Sequence, residues 1–361
     1  MPHLYTDEQR QIRVEARRLL EEHYSGERLK ALLTAQGRYD DDVWRACRDM
    51  GWTAITVAEA HGGLGLGPIE LGIIAEECGR VAFGAPFLTT SFAVSEAVRL
   101  WGDETLKQDV LPQIAGGELI GVFAFAEVAG ETLPSAPRVQ LRDGRLYGAK
   151  ISVVAGAVAD IAVVSAAGGL CFADLREIGV ERAAVDSFDN SRCAADLIFD
   201  GLPATRLDAP AGAAARLLDR LAVITAFEQV GGADRCMEQA RDYANERRAF
   251  GQPIGKFQAI KHRIAEMYVA NELARGNALR AAIDLVAEAA DLPLHAAAAR
   301  LSAIAAYEFA SREAIQIHGA IGVTWEHDLH LHYRRARTLA LELGSAMTWE
   351  DTLVDALKAA A

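Results

Sequence analysis

The sequence predicts an α+β protein whose elements run along the chain as helices, then strands, then helices. Apolar residues recur at helical spacing in residues 1–118 and again in residues 206–361, whereas residues 119–205 form short alternating or valine-rich runs. The chain has 361 residues, of which 51% are apolar and 24% charged, so it is long enough for two or three domains and too apolar for bulk disorder. These stretches therefore predict an N-terminal helical domain, a middle antiparallel β domain and a C-terminal helical bundle.

The N-terminal domain (1–118) is expected to contain several short helices. Apolar stripes indicate the first two: Ile12, Ala16 and Leu19 within residues 7–22, then Trp44, Cys47 and Met50 before Gly51. A glycine-rich stretch, residues 58–68, follows as a turn segment. Three further helices are predicted over residues 71–82, 91–100 and 107–114.

The middle domain (119–205) is predicted from six short runs with strand character. The runs are GVFAFAE (121–127), RVQLRDGRLYGA (138–149), ISVVAG (151–156), IAVVSA (161–166), GLCFADL (169–175) and AADLIFDG (194–201). Asp143-Gly144 divides the second run, and this dipeptide is typical of a two-residue hairpin turn. A small antiparallel sheet is the expected result.

The C-terminal domain (206–361) is alanine-rich, and four or five helices of a bundle are predicted there. The apolar stripes are Leu217, Leu221 and Ile224; Phe257, Ile260, Ile264 and Met267; Leu279, Ile283 and Val286; and Leu301, Ile304 and Ala305. Glu228 extends the first stripe by one turn, which predicts a glutamate on an apolar face. Such a glutamate is expected to be paired, with Arg235 or with another chain, or to line a cavity.

Composition excludes several classes of function. With 37 Lys and Arg against 50 Asp and Glu, the net charge is −13, which disfavours binding to nucleic acid. The first twenty residues lack the apolar run of a signal peptide, and eighteen consecutive apolar residues occur nowhere, so no membrane span is expected. The five cysteines are widely spaced, which indicates reduced core thiols in a cytoplasmic protein.

Two segments carry candidate binding residues. In residues 243–262, Arg247 precedes Phe250 and a Pro-Ile-Gly turn, and Gln258 follows at the start of the next predicted helix. An arginine at a helix end beside a tight turn can bind a phosphate in bidentate fashion, or it can cap helix carbonyls. Gln258 can serve a polar ligand or lie on a solvated face. The second segment, residues 316–346, begins with Gln316 and Gly319 and is rich in histidine and arginine.

Together these segments resemble the acyl-CoA dehydrogenase family. The similarity lies in Arg-x-x-Phe-Gly and Phe-Gln, followed some sixty residues later by Gln-x-x-Gly, and in GGLGLGP (62–68), LPQIAGGE (111–118) and FDNSR (188–192). The resemblance implies a helical N-domain, a middle β-barrel-like domain and a C-terminal four-helix bundle. It also implies FAD, a coenzyme A thioester substrate, an electron-transferring flavoprotein as electron acceptor, and an oligomer such as a tetramer.

The resemblance assigns the binding residues to a neighbouring subunit's cofactor. By similarity, Arg247 meets the FAD pyrophosphate across the subunit interface, and Phe250 and Gln258 line the same site. Gln316 and Gly319 meet the adenine end.

The residues expected on the chain's own side depart from the family pattern. The reaction needs a carboxylate that removes the α-proton, and the usual position is Leu343 here. Three carboxylates remain as candidates for the base: Glu342, Glu228 and Asp219. The threonine that serves the flavin is Ala126, and a Trp-Ile-Thr strand is replaced by Ser152-Val153-Val154, so side-chain hydrogen bonds are lost at both sites.

Three functions fit a chain that has the residues expected to serve a neighbour's FAD but lacks those expected on its own side. The chain is predicted to be one subunit of a heteromeric acyl-CoA dehydrogenase that completes a homologous partner's FAD site. The alternatives are an active homo-oligomer with a displaced carboxylate, and a non-catalytic scaffold or thioester-binding homologue. The histidines His318, His327, His330 and His332 lack companion carboxylates at ligand spacing, so no metal site is expected.

Overall fold

The computed structural model describes residues 5–360, and it confirms the α+β class. The helices are α1 (Asp7–His23), α2 (Gly26–Leu33), α3 (Asp41–Asp49), α4 (Pro68–Arg80), α5 (Ser95–Trp101), α6 (Glu104–Ala115), α7 (Ala213–Glu246), α8 (Gln258–Val286), α9 (Leu292–His318), α10 (Leu329–Glu342) and α11 (Ala346–Ala360). The strands are β1 (Gly121–Ala124), β2 (Gln140–Arg142), β3 (Arg145–Val153), β4 (Ile161–Ala166), β5 (Gly169–Asp174), β6 (Val180–Ala184), β7 (Ala195–Arg206), β8 (Arg248–Ala249) and β9 (Gln252–Pro253).

The chain forms two compact units, each assembled from separate stretches of sequence. The helical unit contains the residues up to Leu29, Gly72–Phe83 and the residues from Ala222 onward. The β-containing unit contains Lys30–Leu71 and Gly84–Leu221. The two units cut across the three predicted domains, and the boundaries at 118 and 205 stay predictions.

The first predicted helix is confirmed, and its start has a clear local cause. The Thr6 hydroxyl accepts a hydrogen bond from the Gln9 amide, while the Gln9 side chain accepts one from the Thr6 amide. This capping box satisfies two backbone donors that a helix start leaves without partners. Ala16 and Leu19 are buried as predicted. Met50 differs from its prediction: α3 ends at Asp49, and Met50 lies beyond it, partly exposed.

The middle strands form one seven-stranded sheet in the order β1-β4-β5-β7-β3-β2, with β6 also paired to β7. The predicted hairpin is confirmed, because Arg142 pairs with Arg145 and both turn residues, Asp143 and Gly144, have positive φ. The twelve-residue strand β7 joins the two halves of the sheet, since its start pairs with β3 and β6 and its end with β5.

Two features of the sheet correct the prediction. Strands β1 and β4 are parallel, with Gly121 opposite Ile161, whereas a purely antiparallel sheet was expected. Parallel neighbours need a long crossover connection, and here β2 and β3 supply it. The sheet is also an open path rather than a closed barrel, because its edge strands β1 and β2 pair with β4 and β3 respectively and not with each other.

The helical unit depends on close contact between α4 and α7. A Cβ atom added at Gly79 would lie 1.8 Å from the Glu228 carbonyl oxygen, and one added at Gly231 would lie 1.8 Å from the Glu76 oxygen. Both distances are much shorter than a van der Waals contact, so only glycine allows the two backbones to approach this closely. The Glu228 and Glu76 side chains are consequently held near the centre of the unit.

The C-terminal region contains five helices, α7–α11, of which the first three are long. The stripe of Leu217, Leu221 and Ile224 is buried as predicted. The stripe beginning at Leu279 lies on α8, the same helix as the preceding stripe, and its Ile283 and Val286 are 48% and 56% exposed. Predicted core positions are therefore wrong there, because periodicity identifies a shared helix face but not what covers it. Ala305 on α9 is likewise exposed.

Candidate functional site

The first binding segment forms a helix end followed by a two-stranded hairpin. Helix α7 ends at Glu246, and β8 and β9 then pair around a tip at Phe250 and Gly251, whose φ angles are +50° and +79°. The Ile254 amide donates to the Arg247 oxygen across the hairpin at 2.8 Å. Phe250 is 97% exposed, and its ring lies edge-on to that of Phe257 at 6.3 Å. The short hairpin was not predicted, because the sequence indicated only a turn.

Two polar side chains of this segment, those of Arg247 and Gln258, are exposed and make no hydrogen bond within residues 5–360. The Arg247 guanidinium is exposed and forms no hydrogen bond or ion pair with residues 5–360. The side chain of Gln258, the first residue of α8, is likewise exposed and unpaired within that range. A free guanidinium presents a planar set of donors that matches phosphate oxygens. These groups fit a phosphate-bearing molecule that approaches from outside the chain.

The second segment begins at the end of α9. Gln316 lies exposed in its last turn, and the Gly319 amide donates to the Gln316 backbone oxygen. Gly319 has φ +67°, and a Cβ added there would meet no atom within 4 Å. The backbone is therefore open to a ligand at this point. The positive φ by itself also favours glycine here.

Aromatic stacking joins the two binding segments. The Tyr243 ring stacks on His318 with 4.2 Å between centroids, and His318 meets His327 edge-on at 4.8 Å. The Tyr243 backbone carbonyl accepts a hydrogen bond from the Arg247 amide at 2.8 Å, so the stacked rings lie one turn before the candidate arginine. Burial lowers the pKa of His318, and its Nδ1 bonds the Ala314 oxygen. Sequence reasoning missed this contact, since only the tertiary fold brings Tyr243 and His318 together.

The expected position of the catalytic base holds a buried apolar side chain. Helix α10 ends at Glu342, and Leu343 follows as its C-cap with its side chain buried. Glu342 is half-buried, and its charge acts on Arg300. Arg300 is fully buried, donates to Gln229 and to the Leu339 oxygen, and has a pKa that burial lowers to about 10. Glu342 therefore lies within the field of a buried guanidinium.

Glu228 is the buried glutamate that its position on an apolar stripe predicts. Its Oε1 accepts a hydrogen bond from Arg335 at 3.1 Å, and the fully buried Arg335 also donates to the Phe83 oxygen at 2.6 Å. The partner is therefore Arg335 rather than the suggested Arg235. Removing either side chain would deprive the other's buried charge of this pairing, which is costly.

Asp219 has the environment of a group that holds a proton near neutral pH. It is buried on α7, and burial raises its pKa from 3.8 to about 7. No hydrogen bond to its carboxyl occurs within the part of the chain that the structure describes. Desolvation favours the neutral acid, and a carboxylate formed in such a place is a stronger base than one in water.

The chain's own cofactor-side positions offer few donors. Ala126 has only a methyl group, and its oxygen already accepts from the Ile151 amide at 2.9 Å. Its neighbour Glu127 forms a buried ion pair with Lys150 at 2.7 Å, which fixes this loop against β3. Ser152 is exposed, with its amide bonded to Asp196, and Val154 carries no polar group. Ala126 and Val154 therefore lack the hydroxyl donors that the family resemblance leads us to expect at a flavin edge.

The histidines near α10 are engaged in packing. His330 stacks on Trp325, and His332 bonds the Tyr307 hydroxyl through Nδ1 at 2.9 Å. Between residues 5 and 360, no group of three or more His, Cys, Asp or Glu side chains is arranged to hold a metal ion. Over the same range, no helix combines the length and apolar character that a membrane crossing requires. All five cysteines are buried and free, as predicted.

The fold of this chain is shared with solved structures of other proteins. Butyryl-CoA dehydrogenase from Megasphaera elsdenii superimposes with a TM-score of 0.88 over 98% of both chains at 22% identity. Family models described as the acyl-CoA dehydrogenase N-terminal and C-terminal domains match residues 6–118 and 212–354. The chain therefore belongs to the acyl-CoA dehydrogenase family.

Two relatives are especially similar to this chain. Acyl-CoA dehydrogenase IpdE2 of Mycobacterium tuberculosis is 31% identical over 342 residues, which cover 94% of each protein. A solved structure described as a Tcur3481-Tcur3483 steroid ACAD variant has a TM-score of 0.89 and 28% identity, and it covers 98% of this chain and 99% of its own.

Proposed function

We propose that this chain is a subunit of an FAD-dependent acyl-CoA dehydrogenase and completes the FAD site of a homologous partner subunit. The observation that carries the proposal is the contrast between its two candidate half-sites. Arg247, Gln258 and Gln316 are exposed with unused donors, whereas the chain's own positions hold Ala126 and Val154.

Each exposed group would have a defined role toward the partner's cofactor. Arg247 would pair with the pyrophosphate, because a guanidinium binds phosphate oxygens through two parallel hydrogen bonds. Phe250, at the exposed hairpin tip, would cover the cofactor and exclude water, and Gln258 would supply an amide to its polar edge. Gln316 and Gly319 would meet the adenine end, where the open backbone allows close approach. The bound FAD supplies the acceptor for the hydride that leaves the β-carbon of the acyl group.

The reaction class follows from the family, and the substrate class follows from the relatives. We place the substrate among acyl-CoA thioesters with a steroid-derived acyl group, because the solved relative at 28% identity is described as a steroid ACAD. An electron-transferring flavoprotein is the electron acceptor that this assignment entails. In the assembly we propose, the partner subunit supplies the base that Leu343 cannot supply.

One observation favours a second candidate function, an active homo-oligomer that uses Asp219. A general base must hold its proton weakly enough to release it and strongly enough to remove one, and a pKa of about 7 meets that condition. In this case the lone chain would bind FAD and turn over an acyl-CoA without a partner.

Visible absorption and native mass distinguish the two candidates. The chain is purified alone and after co-expression with a homologous acyl-CoA dehydrogenase subunit from the same genome. We expect the lone chain to be colourless and the co-expressed complex to be yellow, with about one FAD for every two chains. Stoichiometric flavin and acyl-CoA turnover in the lone chain would refute the shared site and establish the homo-oligomer.

A variant pair then tests Arg247 directly. Arg247→Ala should lower the FAD content of the complex while leaving the thermal midpoint of the lone chain unchanged. Arg241→Ala is the matched control, because Arg241 is exposed near the end of α7, six residues before Arg247, and is paired with Asp242. Equal flavin content in the Arg247→Ala and parent complexes would remove Arg247 from the site.

A further inference from the structure

A cavity of about 280 Å³ lies within the helical unit. It shares Asp328, Leu331 and His332 with the second binding segment, but none of the residues to which we assign an FAD contact lines it. It is formed by the end of α1 with the residues after it, the end of α4, the middle of α7 and the start of α10. No part of the proposed function uses it. Its walls carry charged and polar side chains, so its chemistry differs from that of an apolar packing defect.

Part of the wall is held in place by internal ion pairs. Both Glu77 oxygens accept hydrogen bonds from Arg17, at 2.8 and 2.9 Å. Arg80 is paired with Glu238. Glu21 also lines the cavity and is exposed, and Asp328 lies against Gly26. These contacts make the wall rigid before any molecule enters.

Two neighbouring side chains on α7 are left without partners. Arg235 lines the cavity and forms no hydrogen bond or ion pair within residues 5–360. Gln239 lies one turn later, and its side-chain oxygen is buried without a hydrogen-bond partner in that same range. Residues four apart share a helix face, so an unpaired cation and an unpaired acceptor lie side by side. A buried acceptor without a donor is costly, which indicates that a bound molecule satisfies it.

The lining also includes a histidine that lies under the influence of arginine charges. His332 lines it, and its Nδ1 is engaged by Tyr307, which leaves Nε2 available. Burial, followed by the charges of Arg235, Arg335 and Arg80, lowers the pKa of His332 to about 3. The charges that act on this imidazole are thus all cationic, and an anion placed beside Arg235 would offset them.

We propose that this cavity binds a small hydroxy-carboxylate. Its carboxylate would pair with the Arg235 guanidinium, and its hydroxyl would donate to the Gln239 oxygen. The neutral His332 would contribute its Nε2 as a third polar contact. The ligand is therefore chemically distinct from both FAD and the acyl-CoA thioester, and the inference does not depend on the proposed function.

Isothermal titration of the purified full-length chain tests the proposal with three probes: malate, succinate and inorganic phosphate. Malate and succinate differ only in the hydroxyl group. We expect malate to bind about tenfold more tightly than succinate, because only malate of the two carries a hydroxyl donor for Gln239 as well as a carboxylate for Arg235. Phosphate also carries an O–H group, and tighter binding of phosphate than of malate would identify a phosphate site and overturn the proposal. No saturable malate binding, or malate binding no tighter than succinate, would overturn the proposal.

Variants assign the binding to this cavity. Arg235→Gln should weaken malate binding about tenfold, whereas Arg216→Gln, an exposed arginine of the same helix outside the cavity, should leave it unchanged. Gln239→Leu should remove the preference for malate over succinate, and malate should shift the ¹⁵N resonance of His332 Nε2. Equal losses in the two arginine variants, or an unmoved His332 resonance, would contradict the assignment. Thermal midpoints without ligand verify that each variant is folded.

Discussion

Replacing Asp219 by asparagine should make the protein's stability less sensitive to pH. Burial raises the pKa of Asp219 from 3.8 to about 7, so between these values the folded protein holds a proton that the unfolded chain has lost. Stability therefore falls as pH rises through this window, by about 1.4 kcal/mol for each pH unit. From pH 5 to pH 8 the loss amounts to about 2–3 kcal/mol, because the fall ends near pH 7. Asparagine has no proton to lose and abolishes this contribution.

Urea unfolding at pH 5 and pH 8 measures the effect. We expect the free energy of unfolding of Asp219→Asn, minus that of the parent, to be about 2–3 kcal/mol larger at pH 8 than at pH 5. The control is Asp208→Asn, because Asp208 is exposed, and its relative stability should be the same at both pH values. A pH-independent difference for Asp219→Asn would refute the reasoning and remove the physical case for Asp219 as a base.

Three further predictions concern stability. Lys150→Met should cost about 3–5 kcal/mol in urea unfolding, because it leaves the buried Glu127 carboxylate without its cation. The control Lys107→Met, at an exposed pair, should cost less than about 1 kcal/mol. Similar costs for both variants would contradict the buried pairing. Arg335→Met should also cost about 3–5 kcal/mol, because it removes the buried ion pair with Glu228, and adding Glu228→Leu should recover much of that cost. Additive losses would show that the two residues are not coupled. Treatment with EDTA should leave the thermal midpoint unchanged, and a large drop would show a structural metal ion.

Much of the fold could be predicted because its elements have strong local signals. The helix over residues 7–22 matches α1 closely, since its apolar spacing and its capping residues both lie within the segment. Asp143-Gly144 specified the β2–β3 turn because two residues with positive φ are enough to define it. The parallel pairing of β1 with β4 had no such signal, since forty residues separate Gly121 from Ile161.

The candidate site likewise contains residues that the sequence identified and contacts that only the fold shows. Arg247, Gln258, Gln316 and Gly319 were found from motif spacing, and their roles toward FAD stay predictions. The stacking of Tyr243 on His318 was missed, because the two residues lie on different helices and only the fold joins them. Ile283 shows the opposite error: the helix was predicted correctly, but the side chain predicted to lie on its core face is exposed.

By itself the sequence indicated the family and the order of helices and strands, and the family resemblance predicts the base at a position that is Leu343 here. These properties depend on residue identity and on spacing within single elements, which the backbone period of a helix or strand makes readable. Only the tertiary structure decided that Glu228 pairs with Arg335, that Asp219 is desolvated, and that Arg235 faces a cavity. Ion pairing, desolvation and cavity formation depend on atoms brought together from distant parts of the chain, and no local pattern records which atoms those are.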